Sequence, residues 1–393
     1  MSPGLGQNLP RAKQMNRSLI LEQILFYGPM TRQQIAQNLG LTSATITNFV
    51  AKMIREGLLA EVGYVEEVRL GRKSIAIDFR SNCYAVIAIH LRASDMEIGF
   101  VDLRGRVSNR RLIRYPTPMP KESFLRFVRE QIEIQQGERK ELRVVAVSIG
   151  VRGMQLGGDE GGANSIIISD YMDTARLRED VSTYVDAPVM LGNHTSGMAL
   201  AEKMYGQGRP LDDFLLIYMG PKGIGSGLVF NGEPYRGHGS TAIGLGHMMF
   251  SDDGPKCSCG RTGCLEMYAS EAAILAECGI DDVHELIRRL GQADARATQA
   301  VEEAGRKIAA IINSFLSIVQ LQRIVLGGTL ASESSVLVSA IEENMRQKPL
   351  MFEQFTTEVS VSALGHDLGI IGAAAPAILE CVIRGDEFPE NIE

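Results

Sequence analysis

One His and three Cys fall within eighteen residues of this chain. His247 closes Gly244-Leu245-Gly246-His247, and Cys257, Cys259 and Cys264 follow in Cys257-Ser258-Cys259-Gly260-Arg261-Thr262-Gly263-Cys264-Leu265-Glu266, after the loop-forming Ser251-Asp252-Asp253-Gly254-Pro255. Thiolate sulfur and imidazole nitrogen are the donors of tetrahedral zinc, and tight Cys-x-Cys and Gly-x-x-Gly-Cys turns let a short loop wrap an ion without a helix or strand to hold it. The expected cofactor is therefore a structural Zn2+ on His247, Cys257, Cys259 and Cys264. Buried free thiols or a disulfide are the competing readings, and the clustering of donors in one loop argues against both. Cys83, Cys278 and Cys381 are scattered in apolar or helical context and read as small buried hydrophobes.

A second set of side chains points to nucleic acid. The apolar positions Leu19, Ile20, Ile24 and Leu25 predict a helix over Asn16 to Phe26, ended by Gly28-Pro29. Thr31 with Gln34 three residues on is a capping box, and it opens a second helix that Gly40 stops. Thr42 caps a third helix, from about Ser43 to Glu56, which buries Ile46, Val50, Met53 and Ile54. Two short helices joined by a tight turn after a first helix make a helix-turn-helix. Its third helix turns Ser43, Ala44, Thr45, Thr47, Asn48 and Lys52 outward, the hydrogen-bonding types that reach base edges. Strands at Leu58 to Val62 and Ser74 to Phe79 flank Arg69-Leu70-Gly71-Arg72-Lys73, a basic hairpin tip that reads as a wing, with Arg72 and Lys73 as DNA contacts. A helical protein-interaction domain with a solvated hairpin is the alternative.

Charge agrees with the first reading. Residues 1–80 hold ten Lys/Arg against six Asp/Glu, a net of +4, and so leave −11 of the overall −7 to the remainder. With 393 residues and 45% of them apolar, the chain can fill two or three domains. No apolar run approaches the ~20 residues that span a bilayer, and Met1 to Ser18 lacks the regions of a signal peptide. The expected location is cytoplasmic, with no membrane partner.

The remaining chain must carry the metal loop. Strands at Tyr84 to Ile89, Glu97 to Leu103 and Arg106 to Ile113 precede a helix at Glu122 to Gln135. Then come a strand at Val144 to Ile149, a helix at Ala175 to Tyr184, a strand at Val189 to Gly192 and a helix at Ser196 to Tyr205. A second set follows, with strands at Phe214 to Met219 and Gly227 to Phe230, the metal loop, helices from about Ser270 and over Thr298 to Val319, a strand at Arg323 to Leu326 and a last helix near Gly369 to Glu380. Two α/β units of similar order predict two lobes with a cleft between them. The almost uniformly apolar Ile308 to Val319 is either a self-association surface or an interior helix.

The Gly-His…Cys-x-Cys-Gly-x-x-Gly-Cys-x-Glu loop, the Val325-Leu326-Gly327-Gly328 turn, the Gly369-Ile370-Ile371-Gly372-Ala373-Ala374 helix start and the preceding winged helix together resemble the ROK family of sugar kinases and repressors. The resemblance covers nearly the whole chain. It implies an α/β protein with a winged helix-turn-helix at 1–80 and a two-lobed actin-like, ribonuclease-H-like ATPase-fold domain at 81–393, its first lobe about 81–190 and its second, with the zinc loop, about 191–393. It assigns His247, Cys257, Cys259 and Cys264 to zinc, and Asn193, His247 and Glu266 to a possible sugar.

The departures from the kinases count for more. Their Asp-x-Gly-Gly-Thr phosphate loop is here His90-Leu91-Arg92-Ala93-Ser94, the Asp that deprotonates the sugar is His194, the Glu of Glu-x-Gly-His is Gly244, and a second phosphate loop, Gly-Thr-Gly, is Pro221-Lys222-Gly223. Phosphoryl transfer needs a carboxylate for Mg2+, backbone amides on the phosphates and a base on the acceptor, and all three are damaged. The expectation is no enzyme, no catalytic residue, and a transcriptional regulator, most simply a repressor of carbohydrate genes. It would meet an inverted-repeat operator in double-stranded DNA as a homodimer or tetramer, with a sugar or sugar-derivative effector or a regulatory protein partner. A carbohydrate kinase with an appended DNA-binding domain is the alternative.

Overall fold

The computed structural model describes residues 9–65, 74–80, 83–152, 167–169, 172–237, 243–347 and 357–385. The chain begins with helix α1 (Leu9–Tyr27), strand β1 (Met30–Thr31), helices α2 (Arg32–Leu39) and α3 (Ser43–Arg55), and strands β2 (Leu59–Val65) and β3 (Ser74–Phe79). The local signals act as read. Thr31 accepts from the Gln34 N–H while the Gln34 side chain accepts from the Thr31 N–H, Thr42 accepts from the Thr45 N–H, and Gly40 ends α2 with φ +63°. Ile46, Val50 and Met53 are buried as expected, whereas Ile54 is half-buried. Strands β1, β3 and β2 form a three-stranded antiparallel sheet in that order, so the helix-turn-helix carries a winged hairpin. The expected basic tip, Arg69 to Lys73, lies outside the described residues.

Three strands then meander, β4 (Tyr84–Leu91), β5 (Asp95–Asp102) and β6 (Val107–Arg114), before α4 (Lys121–Glu138), β7 (Arg143–Val151), the hairpin β8 (Ile167–Ser169) and β9 (Met172–Asp173), α5 (Thr174–Ser182) and β10 (Val189–Asn193). After α6 (His194–Tyr205) the plan repeats with β11 (Phe214–Gly220), β12 (Gly223–Phe230) and β13 (Glu233–Pro234). The metal loop and α7 (Glu266–Ala269), α8 (Glu271–Cys278), α9 (Val283–Gly291) and α10 (Ala295–Leu316) come next. The chain ends with β14 (Arg323–Gly327), α11 (Thr329–Glu333), α12 (Ser335–Gln347), β15 (Glu358–Val361) and α13 (Leu368–Ala377), which continues as a π-helical turn, Ile378–Ile383.

The two large sheets share one topology. Their orders are β10-β7-β4-β5-β6 and β13-β12-β11-β14-β15. In each, the first strand of a meander is central, its second and third strands lie to one side, and the fourth and fifth strands of the unit lie to the other. That duplication is the ribonuclease-H-like plan of the actin-like fold, and it explains the two similar strand and helix sets in the sequence.

The chain divides into two compact units, each assembled from more than one stretch of sequence, and one of the cuts falls between residues 191 and 192. One unit comprises Met1–Gly150, Arg176–Leu191 and Ala373–Glu393, and thus includes the winged helix; the other comprises Val151–Ala175 and Gly192–Gly372. In the first, Arg104 ties the winged helix to the β5 end: its guanidinium donates to the Ile24 carbonyl at 3.1 Å, pairs with Asp78 and stacks over the Phe79 ring at 5.1 Å. In the second, α10 packs on α12 where Gly305 meets Ala340, and Ile308, Ile311, Ile312 and Leu316 are buried in that unit's own core. The apolar Ile308 to Val319 stretch is thus chiefly interior, and Ile318 at its end is 82% exposed.

One expectation is corrected. The helical run Gly365–Ile383 is long and apolar enough to cross a bilayer by composition, yet 72% of it is buried inside the protein, as a core helix is. Cys278 is buried as expected, but Cys83 and Cys381 are half-buried.

Candidate metal centre and nucleic-acid interface

Backbone hydrogen bonds fold the metal loop back on itself, since no long element supports it. The Cys257 N–H donates to Arg261 O at 2.8 Å, Gly260 N to Cys257 O at 3.0 Å, Gly263 N to Pro255 O at 3.0 Å and Phe250 N to Gly263 O at 2.8 Å. Gly260 and Gly263 take φ of +88° and +69°, and a side chain at Gly263 would strike the Ser251 carbonyl. His247 enters from the other end, in a 3₁₀ turn (Leu245–His247) whose first N–H donates to Ser226 Oγ at 3.2 Å.

The four donor atoms converge. One atom each of His247, Cys257, Cys259 and Cys264 lie within 4.8 Å of one another. Zn–S bonds of about 2.3 Å and Zn–N bonds of about 2.0–2.1 Å give tetrahedral edges of about 3.7 Å between sulfurs and about 3.5 Å between sulfur and nitrogen. The corresponding separations here are 3.6 Å for Cys259 Sγ to Cys264 Sγ and 3.4 Å for Cys257 Sγ to His247 Nδ1. All three cysteines are free thiols, which disposes of the disulfide reading. The residues therefore fit a tetrahedral metal ion.

Glu266 stands directly behind this set. It is buried, its Oε1 is 3.4 Å from His247 Nδ1 and accepts from Cys257 Sγ at 3.0 Å. Burial pushes the Cys257 thiol up to about 12 and raises Cys264 too, while a hydrogen bond from the Arg261 N–H pulls Cys259 down. A metal ion would have to displace the protons of the two buried thiols, so binding here is pH-dependent.

Of the possible ligand residues, His247 and Glu266 meet directly and Asn193 belongs to a different part of the same unit. A side chain at Gly223 would come within 2.6 Å of Glu266 Oε2 and 3.2 Å of Arg152 Nη2, and one at Gly225, on the same face of β12, would strike Thr195. Asn193 is the N-cap of α6: its Oδ1 accepts from Thr195 N at 2.9 Å, Thr195 Oγ1 at 2.8 Å and Ser196 N at 3.2 Å. Sequence reasoning missed this capping role, although Asn before a helix is its usual signal. It also missed Arg152, whose Nη2 donates to Lys222 O at 3.2 Å.

The two histidines at the altered kinase positions are occupied in ordinary packing. His90 is 1% exposed in β4, directly opposite Glu97 of β5, with Nδ1 3.6 Å from Glu97 Oε2, and Glu97 in turn pairs with Arg110. Burial alone would push the Glu97 carboxyl up, but His90 and Arg110 hold it below the usual carboxylate range. His194, half-buried in the first turn of α6, presents an edge contact to Tyr218 with centroids 6.1 Å apart.

On the winged helix, α3 exposes Ser43, Thr47, Asn48 and Lys52, and Thr45 is half-buried with its hydroxyl 2.9 Å from that of Thr42. Lys52 pairs with Glu56 at 3.6 Å. The five side chains thus share the solvent face opposite Ile46, Val50 and Met53. Arg72 and Lys73 lie outside the described residues.

An actin-like pair of α/β units with a His/Cys3 loop and a winged helix defines a protein of the sugar-kinase and repressor class. The sequence profile of the ROK family matches residues 86–379, and the chain belongs to that family. It is 27% identical over 398 residues to the DNA-binding transcriptional dual regulator NagC of Escherichia coli, covering 95% of this chain and 96% of that protein. It is 23% identical over 400 residues to a xylose repressor of Caldicellulosiruptor bescii, covering 96% and 98%. Among solved structures, a ROK family transcriptional regulator described as a homolog of E. coli MLC superposes with a TM-score of 0.77 over 95% of this chain and 97% of that one, at 24% identity. A ROK family glucokinase from Streptomyces griseus, with glucose and AMPPNP, gives 0.65 and covers 74% of this chain and 98% of its own.

Proposed function

We propose that this protein is a DNA-binding transcriptional regulator, a repressor of carbohydrate genes, whose kinase-like body senses a sugar or sugar derivative without phosphorylating it. The observation that carries the reading is the row Ser43, Thr47, Asn48 and Lys52 on the solvent face of a correctly capped third helix, in a chain of which 95–96% aligns with a transcriptional dual regulator and a repressor. The glucokinase leaves a quarter of the chain uncovered, which supports the same reading. Thr45, Thr47 and Asn48 read bases, Lys52, Arg72 and Lys73 meet phosphates or the minor groove, and a homodimer or tetramer presents its wings to an inverted repeat. Such a protein acts where the DNA is, in the cytoplasm.

Zinc on His247, Cys257, Cys259 and Cys264 is structural, because all four positions are protein ligands and none is left for a reacting water. His247 also borders the effector site with Glu266 and Asn193. Loss of catalysis follows from His90: a buried imidazole locked against Glu97 cannot hold Mg2+ on a nucleotide. Selection of bound duplexes from a random library, followed by gel shift, tests the reading. Recovery of an inverted repeat bound far more tightly than random DNA is the expected result, and duplexes bound without sequence preference would overturn it.

A further inference from the structure

The first helix of the winged domain grips the end of the chain. Arg17 of α1, 9% exposed, donates from Nη1 to Val382 O at 3.2 Å and to Gly385 O at 3.4 Å. Gln14 Nε2 donates to Arg384 O at 3.3 Å, and Arg384 Nε in turn pairs with Glu22 Oε1 at 2.9 Å. Val382, Arg384 and Gly385 close the last helical segment, where carbonyls have no partner within the helix and the dipole favours a cation. A buried guanidinium is costly unless bonds offset that cost; Arg17 Nη1 makes two such bonds, while Nη2 is buried without a hydrogen-bond partner among the described residues.

The helix that ends in this grip has a break in its middle. Leu368 to Gly372 belong to the second compact unit and Ala373 onward to the first. Pro376 has no N–H to give to Gly372 O, Ala373 O accepts from Ser148 Oγ at 2.6 Å, and the turns after it widen to π over Ile378–Ile383. Breaks of this kind are where helices bend. On the near side, a side chain at Gly372 would stand 2.8 Å from Met198 N and Cγ, so the start of α13 lies hard against α6, the helix capped by Asn193.

We propose that Arg17 is a positioning residue for DNA binding: it fixes the winged helix to the end of the final helix within the first compact unit. This rests on the DNA-binding reading above. Arg17 is buried against the chain end, so it would act through the orientation of α1 rather than by touching bases or phosphates. Two winged helices held at a set angle discriminate between operator spacings, whereas loosely held ones do not.

The test uses the full chain and the duplex that the wild type selects from a random library, together with the same duplex whose half-sites are moved apart by about half a helical turn, roughly five base pairs. Wild type should prefer the native spacing by about tenfold or more, since misplaced half-sites forbid simultaneous engagement. Arg17→Ala should reduce that preference to less than about threefold with an unchanged salt slope, because the phosphate contacts remain. Arg17→Lys, which restores one donor, should recover part of it. Glu22→Gln, a milder release of Arg384, serves if Arg17→Ala does not fold, and should also narrow the preference. Equal weakening of Arg17→Ala on both duplexes, with the ratio kept, would mean a merely structural Arg17 and overturn the proposal. A wild type that selects no duplex would instead remove the DNA-binding reading.

Discussion

The metal loop and the phosphate positions belong to one family pattern, and in this chain they have gone opposite ways. The loop keeps four donor atoms within 4.8 Å of one another. Where the resembling kinases carry a phosphate loop this chain has a packed interior: His90 and Glu97 are 1% and 2% exposed and face each other across β4 and β5, with Arg110 completing the network. The difference follows from what each contributes to folding. A loop without a core would be ordered by an ion held on these donors, so changing a donor would cost the local fold. A magnesium-binding carboxylate does nothing for the apo fold, and its replacement can be absorbed by a cross-strand partner.

The largest effect that could break this contrast is catalytic. Sugar-dependent ADP release, measured in a coupled assay with hexoses and amino sugars, should stay at background, since loss of the general base alone removes about 10²–10⁴ in rate. His90→Asp with His194→Asp should restore little. Gly244 and the Pro221-Lys222 turn stay altered, and a second carboxylate would face Glu97 in a buried strand pair. Turnover appearing in that double variant would mean that the body is a kinase disabled at two points only.

Next in size is the loop itself. Cys259→Ser should lose most of the bound zinc and the exchange protection of the loop hydrogen bonds between Phe250 and Gly263, and a chelator should do the same to the wild type. Elemental analysis finding full zinc in the variant would contradict the ligand assignment.

A smaller effect concerns a buried acid in the helix α8 that follows the loop and α7. Glu271, buried at the start of α8, has its carboxyl raised by burial from 4.5 to about 7. The folded protein therefore binds more protons than the unfolded one between those values, and this group's contribution to stability falls as pH rises from about 4.5 and levels off above about 7. Glu271→Gln should flatten that slope and stabilise the protein at pH 8 by up to about 3 kcal/mol. Denaturant midpoints at pH 5 and pH 8 measure it, and an unchanged slope would mean that the carboxyl is solvated.

What the sequence disclosed and what it hid divides along sequence distance. The Thr31–Gln34 capping box and the Gly40 stop are local and formed as read, and the equally local spacing of the loop brings its four donor atoms together. Helix α1 begins at Leu9, well before the apolar stripe that predicts it, because its first turns dock through Gln14 and Arg17, which no hydrophobic period reveals. Strand β15 is four residues long; its alternating Glu358-Val359-Ser360-Val361 is a strand signal, but one too short to place it without its parallel pairing to β14. His90 was legible as a departure from a phosphate loop, but its burial against Glu97 depends on the register of β4 with β5. Arg17 bonding to Val382, 365 residues away, is the extreme case.

The outer face of α3 is proposed to read DNA, and Asn48, exposed and clear of the helix core, is the residue at which to probe it. Fluorescence anisotropy of the wild type and Asn48→Ala on the selected operator and on duplexes with single substitutions along one half-site measures base-specific energy position by position. The variant should lose about 1–3 kcal/mol on the operator and become indifferent to one base pair, with the salt slope unchanged. An Asn48→Ala protein that binds every duplex as the wild type does, with the same ranking, would contradict the claim.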